Sequence, residues 1–233
     1  NSKRDTPMSK HQQILTELKN HVADKSEFDF MNSYKGVPLV YKGEIQAVQA
    51  DAAVFKIQAP DSVCLTWDDT THILDNRLMS GIKARILDFD IQSGKVTLAD
   101  FDDTERSVGD RTMVRVETED PIAVQIHWKK HQIEATIVNI SLTGLGIQVD
   151  LPKEQVPTPN TPISLRFQVL ERPIEISGMV VTVFEVNGDH RLAIYIEDTS
   201  PGYPQMTQFI TRRRMDIRQE IQDKYDQAIK AHS

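Results

Sequence analysis

Asn139-Ile140-Ser141-Leu142-Thr143-Gly144 reads as the end of a strand running into a turn. Alternate side chains of an extended segment point the same way, so Asn139 and Ser141 share one face and Ile140 takes the other. Asn139 brings an amide donor and a carbonyl acceptor, and Ser141 a hydroxyl that serves as either. Gly144 allows a positive φ and a close approach of backbone. The result is a ledge with two polar teeth. About two dozen residues upstream lies Arg111-Thr112-Met113-Val114-Arg115. A guanidinium is a rigid planar fork whose donors match two phosphate oxygens, or O6 and N7 of guanine. Each good guanine pair supplies roughly 1–3 kcal/mol of discrimination. Taken singly, two arginines four apart are an ordinary charged pair, and N-x-S-x-x-G is an ordinary turn. In this order and in a β-rich context they describe a site for a guanine-bearing, doubly anionic ligand. The arginine segment could wrap over that ligand, and ordering a segment beforehand disordered costs affinity.

Strand patterns surround the ledge. Runs rich in β-branched and aromatic residues fall at 123–128, 134–139, 146–149, 163–170, 174–184 and 191–196. Pro152, Pro157, Pro159 and Pro162 mark a loop, because proline supplies no donor to a ladder. Asn187-Gly188 is a hairpin turn of the type that suits two positive φ values. These runs predict a barrel of about six strands. A second series precedes it, at 37–41, 44–50, 52–58, 62–67, 82–89 and 95–98, with 68–71 as a polar loop. The acidic stretch 101–110 breaks the pattern and reads as a linker. At the N-terminus Ser9 and Gln12 suit a capping box, and Ile14, Leu15, Leu18 and Val22 fall on one helical face. A long helix over 205–231 closes the chain, with Ile210, Ile217, Ile221 and Ala228 in a stripe and Tyr225 beside it. That stripe has two readings: cover for the second barrel, or a seam with another copy of the chain. Arg212, Arg213, Arg214 and Arg218 read as a solvated face. The expected fold is mostly β: two small antiparallel β-barrels with an N-terminal helix and a long C-terminal helix. Its divisions are a helical segment at 1–30, an N-terminal barrel at 31–102, a linker at 103–115, and a second barrel with the closing helix at 116–233.

Composition excludes several functions. The formal net charge of −7 disfavours general binding to nucleic acid or to an anionic membrane, since both need a broad basic surface. The single cysteine, Cys64, lies in Val63-Cys64-Leu65 and reads as a small buried hydrophobe. Without a second Cys or a nearby His there is no case for a metal site or a catalytic thiol. The longest apolar run, around 179–186, falls far short of the roughly 20 residues that span a bilayer. The opening residues lack a hydrophobic signal core, and the expectation is a soluble cytoplasmic protein.

At Arg111-x-x-x-Arg115 followed by Asn139-x-Ser141-x-x-Gly144, the chain resembles the PilZ family of cyclic di-GMP receptors. That family carries R-x-x-x-R and then (D/N)-x-S-x-x-G at a similar distance. The resemblance covers about half the chain, from Arg111 to the closing helix, with echoes at Val116, Gly146 and Gly178-Met-Val-Val. The two-barrel layout further resembles flagellar-brake-type members, which place a split barrel before the PilZ barrel. The resemblance implies that Arg111 and Arg115 clasp the guanines and phosphates of cyclic di-GMP. Asn139 and Ser141 would bind guanine, and Gly144 would shape the turn. It implies a regulatory ligand that reorients the domains, no metal, no redox cofactor and no catalysis. A downstream protein partner in motility, exopolysaccharide or biofilm control would read the change, and a homodimer is expected. Many members carry a basic residue where this chain has Asp110. That leaves open whether one or two ligands bind, and a carboxylate there repels a dianion. Two alternatives remain open: a scaffold that keeps the fold without the nucleotide, and an enzyme holding flavin in the split barrel. Against the enzyme, residues 36–100 show neither a phosphate-cradling loop nor an acid–base constellation. His72 reads as a surface residue, and His127 and His131 flank a polar turn.

Overall fold

The structure, a computed structural model, describes residues 8–74, 81–104 and 114–231. The chain divides into two compact units. The first contains helix α1 (Lys10–Asn20) and strands β1 (Glu27–Tyr34), β2 (Val37–Val48), β3 (Ala52–Lys56), β4 (Thr70–Leu74), β5 (Ile82–Asp90) and β6 (Lys95–Asp103). They close in the order β1-β2-β3-β6-β5-β4. Helix α1 begins as its sequence requires: Ser9 is the N-cap, and its hydroxyl accepts a hydrogen bond from the Gln12 amide at 3.3 Å. Ile14, Leu15 and Leu18 face the barrel core, where Phe28, Phe30 and Phe55 pack edge to face. Phe30 also closes against Gly43, where a Cβ would stand 2.6 Å from its ring.

Four expectations fail in this unit. Residues 27–34 form a strand although 1–30 was expected to be helical; Phe28, Phe30 and Asn32 alternate inward there. Residues 62–67 are not a strand. Pro60–Thr66 is a 3₁₀ helix started by Pro60, and the Ser62 hydroxyl donates to the Ala59 carbonyl at 2.6 Å. Ser62, Val63, Cys64 and Leu65 are buried in succession on this short helix. The expected loop at 68–71 ends early, because β4 begins at Thr70, and His72 is half-buried on that strand rather than at the surface. Cys64 is buried as expected, and burial pushes its thiol up to about 12.

The second unit contains β7 (Val116–Trp128), β8 (His131–Ser141), β9 (Gly144–Val149), β10 (Pro162–Val169), β11 (Arg172–Val186) and β12 (Asp189–Ile196). They close in the order β10-β11-β12-β9-β8-β7. The six expected runs lie in these strands, except that the run at 163–170 stops at Val169 and Leu170 turns at φ 50°. Asn187 and Gly188 take φ values of 56° and 89°, the two positive angles that the hairpin requires. His127 and His131 do flank a turn, with Lys129 at φ 52°.

Helix α2 (Tyr203–Ala231) contributes its residues up to Ile217 to the second unit and those from Arg218 onward to the first. Met206, Ile210 and Ile217 are buried in the former, and Ile221 joins the core of the latter. The solvated-face reading holds for Arg212 and Arg214, which are exposed; Arg218 is exposed but donates to the Asp61 carboxylate and to the Pro38 carbonyl, and the reading fails for Arg213. Arg213 is 4% exposed; its Nε donates to the Glu117 carbonyl at 3.2 Å and its Nη1 to Glu119 at 3.2 Å.

Candidate functional site

The register of the second barrel decides which side chains can meet. Val116, Ile140, Leu145, Ile194 and Val180 lie in one row across β7, β8, β9, β12 and β11. All five are buried, so this row points inward. The rows on either side must point outward. One runs Glu117, Asn139, Gly146, Ala193 and Thr182; the other runs Ser141, Gly144, Tyr195 and Met179. Asn139 and Ser141 therefore do share the outer face.

Each of the two polar teeth is held by a glycine. Asn139 lies over Gly146, where a Cβ would stand 2.7 Å from its Nδ2 and 2.8 Å from its Oδ1. Any larger residue on β9 would displace the amide. Among the described residues, nothing donates to the buried Asn139 Oδ1. An acceptor left so costs roughly 1–3 kcal/mol, and buried polar atoms without partners are uncommon enough to ask for a reason. Ser141 is only 2% exposed, and its hydroxyl donates to the Gly144 carbonyl at 3.0 Å, closing the turn. Gly144 is needed for space: a Cβ there would stand 2.5 Å from the Ile194 carbonyl oxygen. The expected close approach is present, whereas the allowance for a positive φ is not used, since Gly36, Gly94 and Gly188 are the described glycines with that geometry.

Arg115 is exposed and stands one residue before β7. Val116 pairs with Ile140, and continuing that register sets Arg115 opposite Ser141. Its guanidinium makes no hydrogen bond or ion pair with a described residue. Arg111 and Asp110 lie outside the described residues. The structure thus brings Asn139, Ser141 and Gly144 together and sets Arg115 at the neighbouring strand end.

Beside this patch runs an open groove of about 670 Å³ across β7, β8 and β9. Its lining includes Glu117, Glu119, Glu134 and Asp150, but not Asn139, Ser141 or Gly144. Four carboxylates make it a poor berth for an anion. No group of three or more His, Cys, Asp or Glu among the described residues is arranged to hold a metal ion. No described helix is long and apolar enough to cross a membrane.

Residues 109–210 match the family model described as PilZ domain. No curated protein matches the chain. Among solved structures, the Bacillus subtilis inhibitor of motility (MotI/DgrA) is similar at 15% identity, with 82% of this chain and 97% of that one covered and a TM-score of 0.40. The Klebsiella MrkH–c-di-GMP complex is similar at 9% identity over 90% of this chain and 96% of that one, with a TM-score of 0.46. Escherichia coli YcgR in complex with c-di-GMP is similar at 15% identity over 92% of each chain, with a TM-score of 0.36. At such identities and scores the function of this chain does not follow from theirs.

Proposed function

We propose that the PilZ domain formed by residues 109–210 makes this chain a receptor for cyclic di-GMP that acts without catalysing a reaction. One observation carries the reading. Asn139 and Ser141 stand on one outer face, above Gly146 and Gly144, with an exposed Arg115 at the end of the adjacent strand. The unsatisfied Asn139 Oδ1 accepts from a guanine N–H, and the amide Nδ2 donates to a ring acceptor. Arg115 and Arg111 clasp phosphate oxygens or a guanine Hoogsteen edge with bidentate forks. Asp110 opposes a second dianion and favours one ligand per site. Ligand that prefers one domain arrangement shifts the population toward it, and a protein partner in the cytoplasm reads the shift as a change in motility, exopolysaccharide or biofilm output. Arg111 and Arg115, in the stretch expected from the sequence to join the domains, couple binding to arrangement.

Calorimetry with the purified chain tests this. Wild type is expected to bind cyclic di-GMP in the micromolar range or tighter. Arg115→Ala should weaken binding about tenfold or more, because a bidentate guanine pair carries roughly 1–3 kcal/mol and about 1.4 kcal/mol is a factor of ten. Ser141→Ala should weaken it comparably. An absence of binding by wild type would favour the scaffold reading instead. Light scattering with and without nucleotide tests the expected homodimer, and a monomer mass in both would reject it.

A further inference from the structure

The outer row that carries Ser141 continues through Gly144 to Tyr195 and Met179. Tyr195 is 50% exposed and Met179 41%. Beside them Val181 is pushed out by the bulge between Val180 and Thr182 and is 57% exposed. Single exposed apolar residues are ordinary, but three adjoining ones on the outside of a barrel ask for an occupant. Between them and the polar teeth stand only Gly144, Gly146 and Ala193. The outer face is therefore a trough with a nearly bare floor. Asn139 and Ser141 form one wall, and Tyr195, Met179 and Val181 form the other. The walls stand on β8 and on β12 with β11, so β8 and β12 are two strand spacings apart, roughly 10 Å.

Such a trough suits a flat ligand with a polar edge and an apolar face. We propose that Tyr195 is the stacking residue of the site: its ring takes one face of a guanine whose edge is read from the Asn139 and Ser141 side. Gly144, directly opposite Tyr195, leaves the ring free of a cross-strand side chain. Met179, its partner on the other side, backs the ring with a polarizable thioether. The phenol hydroxyl stays in water while the ring is covered, as suits a tyrosine. This inference rests on the receptor reading above and adds a base-stacking residue to it.

The test uses the full chain and calorimetry with cyclic di-GMP. Tyr195→Ala should bind about tenfold more weakly, the scale on which bases stack on aromatic rings. Tyr195→Phe should stay within about twofold, since the ring face is kept. Phe184→Ala, an exposed aromatic on β11 away from the Ser141 row, should bind as wild type does. A purely structural role for Tyr195, covering Gly144, would lower the melting temperature of Tyr195→Ala and leave its affinity unchanged, and that result overturns the inference. Tyr195→Trp gives an independent readout if Tyr195→Ala fails to fold: its indole emission should be quenched by a stacked guanine on titration, and unchanged emission overturns the inference. If wild type binds, Ser141→Ala loses binding and Tyr195→Ala retains it, the stacking role falls and the receptor stands. If wild type does not bind, both fall.

Discussion

Asn32 in the first barrel and Asn139 in the second are both strand asparagines, and their amides have opposite fates. Asn32 Oδ1 accepts from the Tyr41 hydroxyl and from Thr71 Oγ1, each at 2.7 Å. Its Nδ2 donates to Asp68 at 2.7 Å and to the Thr70 carbonyl at 3.0 Å. Every bonding position is used, and the group is 7% exposed. Asn139 lies over a glycine with its oxygen unserved. A closed polar network holds one arrangement of a core. An incomplete one, on an outer row of a barrel, leaves a bonding capacity unused. The same residue type is thus a structural pin in one barrel and, on the receptor reading proposed above, a reader in the other.

Asn32→Ala is the largest expected loss. It strands the buried Tyr41 and Thr71 hydroxyls inside the first barrel, at roughly 1–3 kcal/mol for each group left unpaired, and removes a donor from the half-buried Asp68 carboxylate. Urea denaturation should show a fall of about 3 kcal/mol or more. Asn139→Ala should leave the urea midpoint nearly unchanged, because it removes an acceptor that was already unserved, and should abolish nucleotide binding. A large loss of stability from Asn139→Ala, or none from Asn32→Ala, would break the comparison.

The glycines sharpen it. A Cβ on Gly144 meets a backbone carbonyl that cannot swing aside, so Gly144→Ala should cost about 1–3 kcal/mol. A Cβ on Gly146 meets the end of the Asn139 side chain, which can rotate away. Gly146→Ala should therefore melt close to wild type and lose nucleotide affinity. Comparable melting losses in both would show that the Asn139 amide is locked. Arg213 belongs with the structural pins: Arg213→Met should cost roughly 1–3 kcal/mol by breaking its bonds to the Glu117 carbonyl and the Glu119 carboxylate, whereas Arg212→Met should be nearly neutral.

These contrasts were unevenly legible in the sequence. The second barrel was readable because its runs alternate and Asn187-Gly188 announces its hairpin. The shared face of Asn139 and Ser141 followed from period two alone. In the first barrel, Glu27 and Asp29 alternate with Phe28 and Phe30 over too few residues, close after a helical pattern, to mark β1 from sequence alone. The run at 62–67 has the composition of a strand, and only Pro60 and Ser62, both suited to starting a tight helix, spoke against it. Arg213 falls on the stripe of Ile210 and Ile217, at three and four residues' distance, which was the available sign of its burial. The reason that the stripe admits a cation is long-range: Glu119 and the Glu117 carbonyl come from a strand almost a hundred residues away. Nothing local marks Tyr195 for the same reason, since Gly144 and Met179 become its neighbours only through the register of the barrel.

The smallest expected effect concerns protonation in the first barrel. His72 on β4 pairs with Lys83 on β5, across from Met31 on β1. Partial burial, aided by the Lys83 charge, lowers its pKa below the usual histidine value of 6.5. The unfolded chain then binds a proton more readily than the folded one as pH falls from above 6.5 toward the lowered value. Stability from this residue is present above 6.5, declines through that window, and levels off below it. Because the ring is half-exposed, screening keeps the effect to about a few tenths of a kcal/mol. Urea midpoints at pH 7.5 and pH 5 should differ slightly more for wild type than for His72→Gln. Nucleotide affinity, measured at the same two pH values, should show no difference between wild type and His72→Gln, because the residue lies in the barrel without the ledge. A pH-dependent affinity that vanished with His72→Gln would tie the two barrels together through this strand and undo their separation into pin and reader.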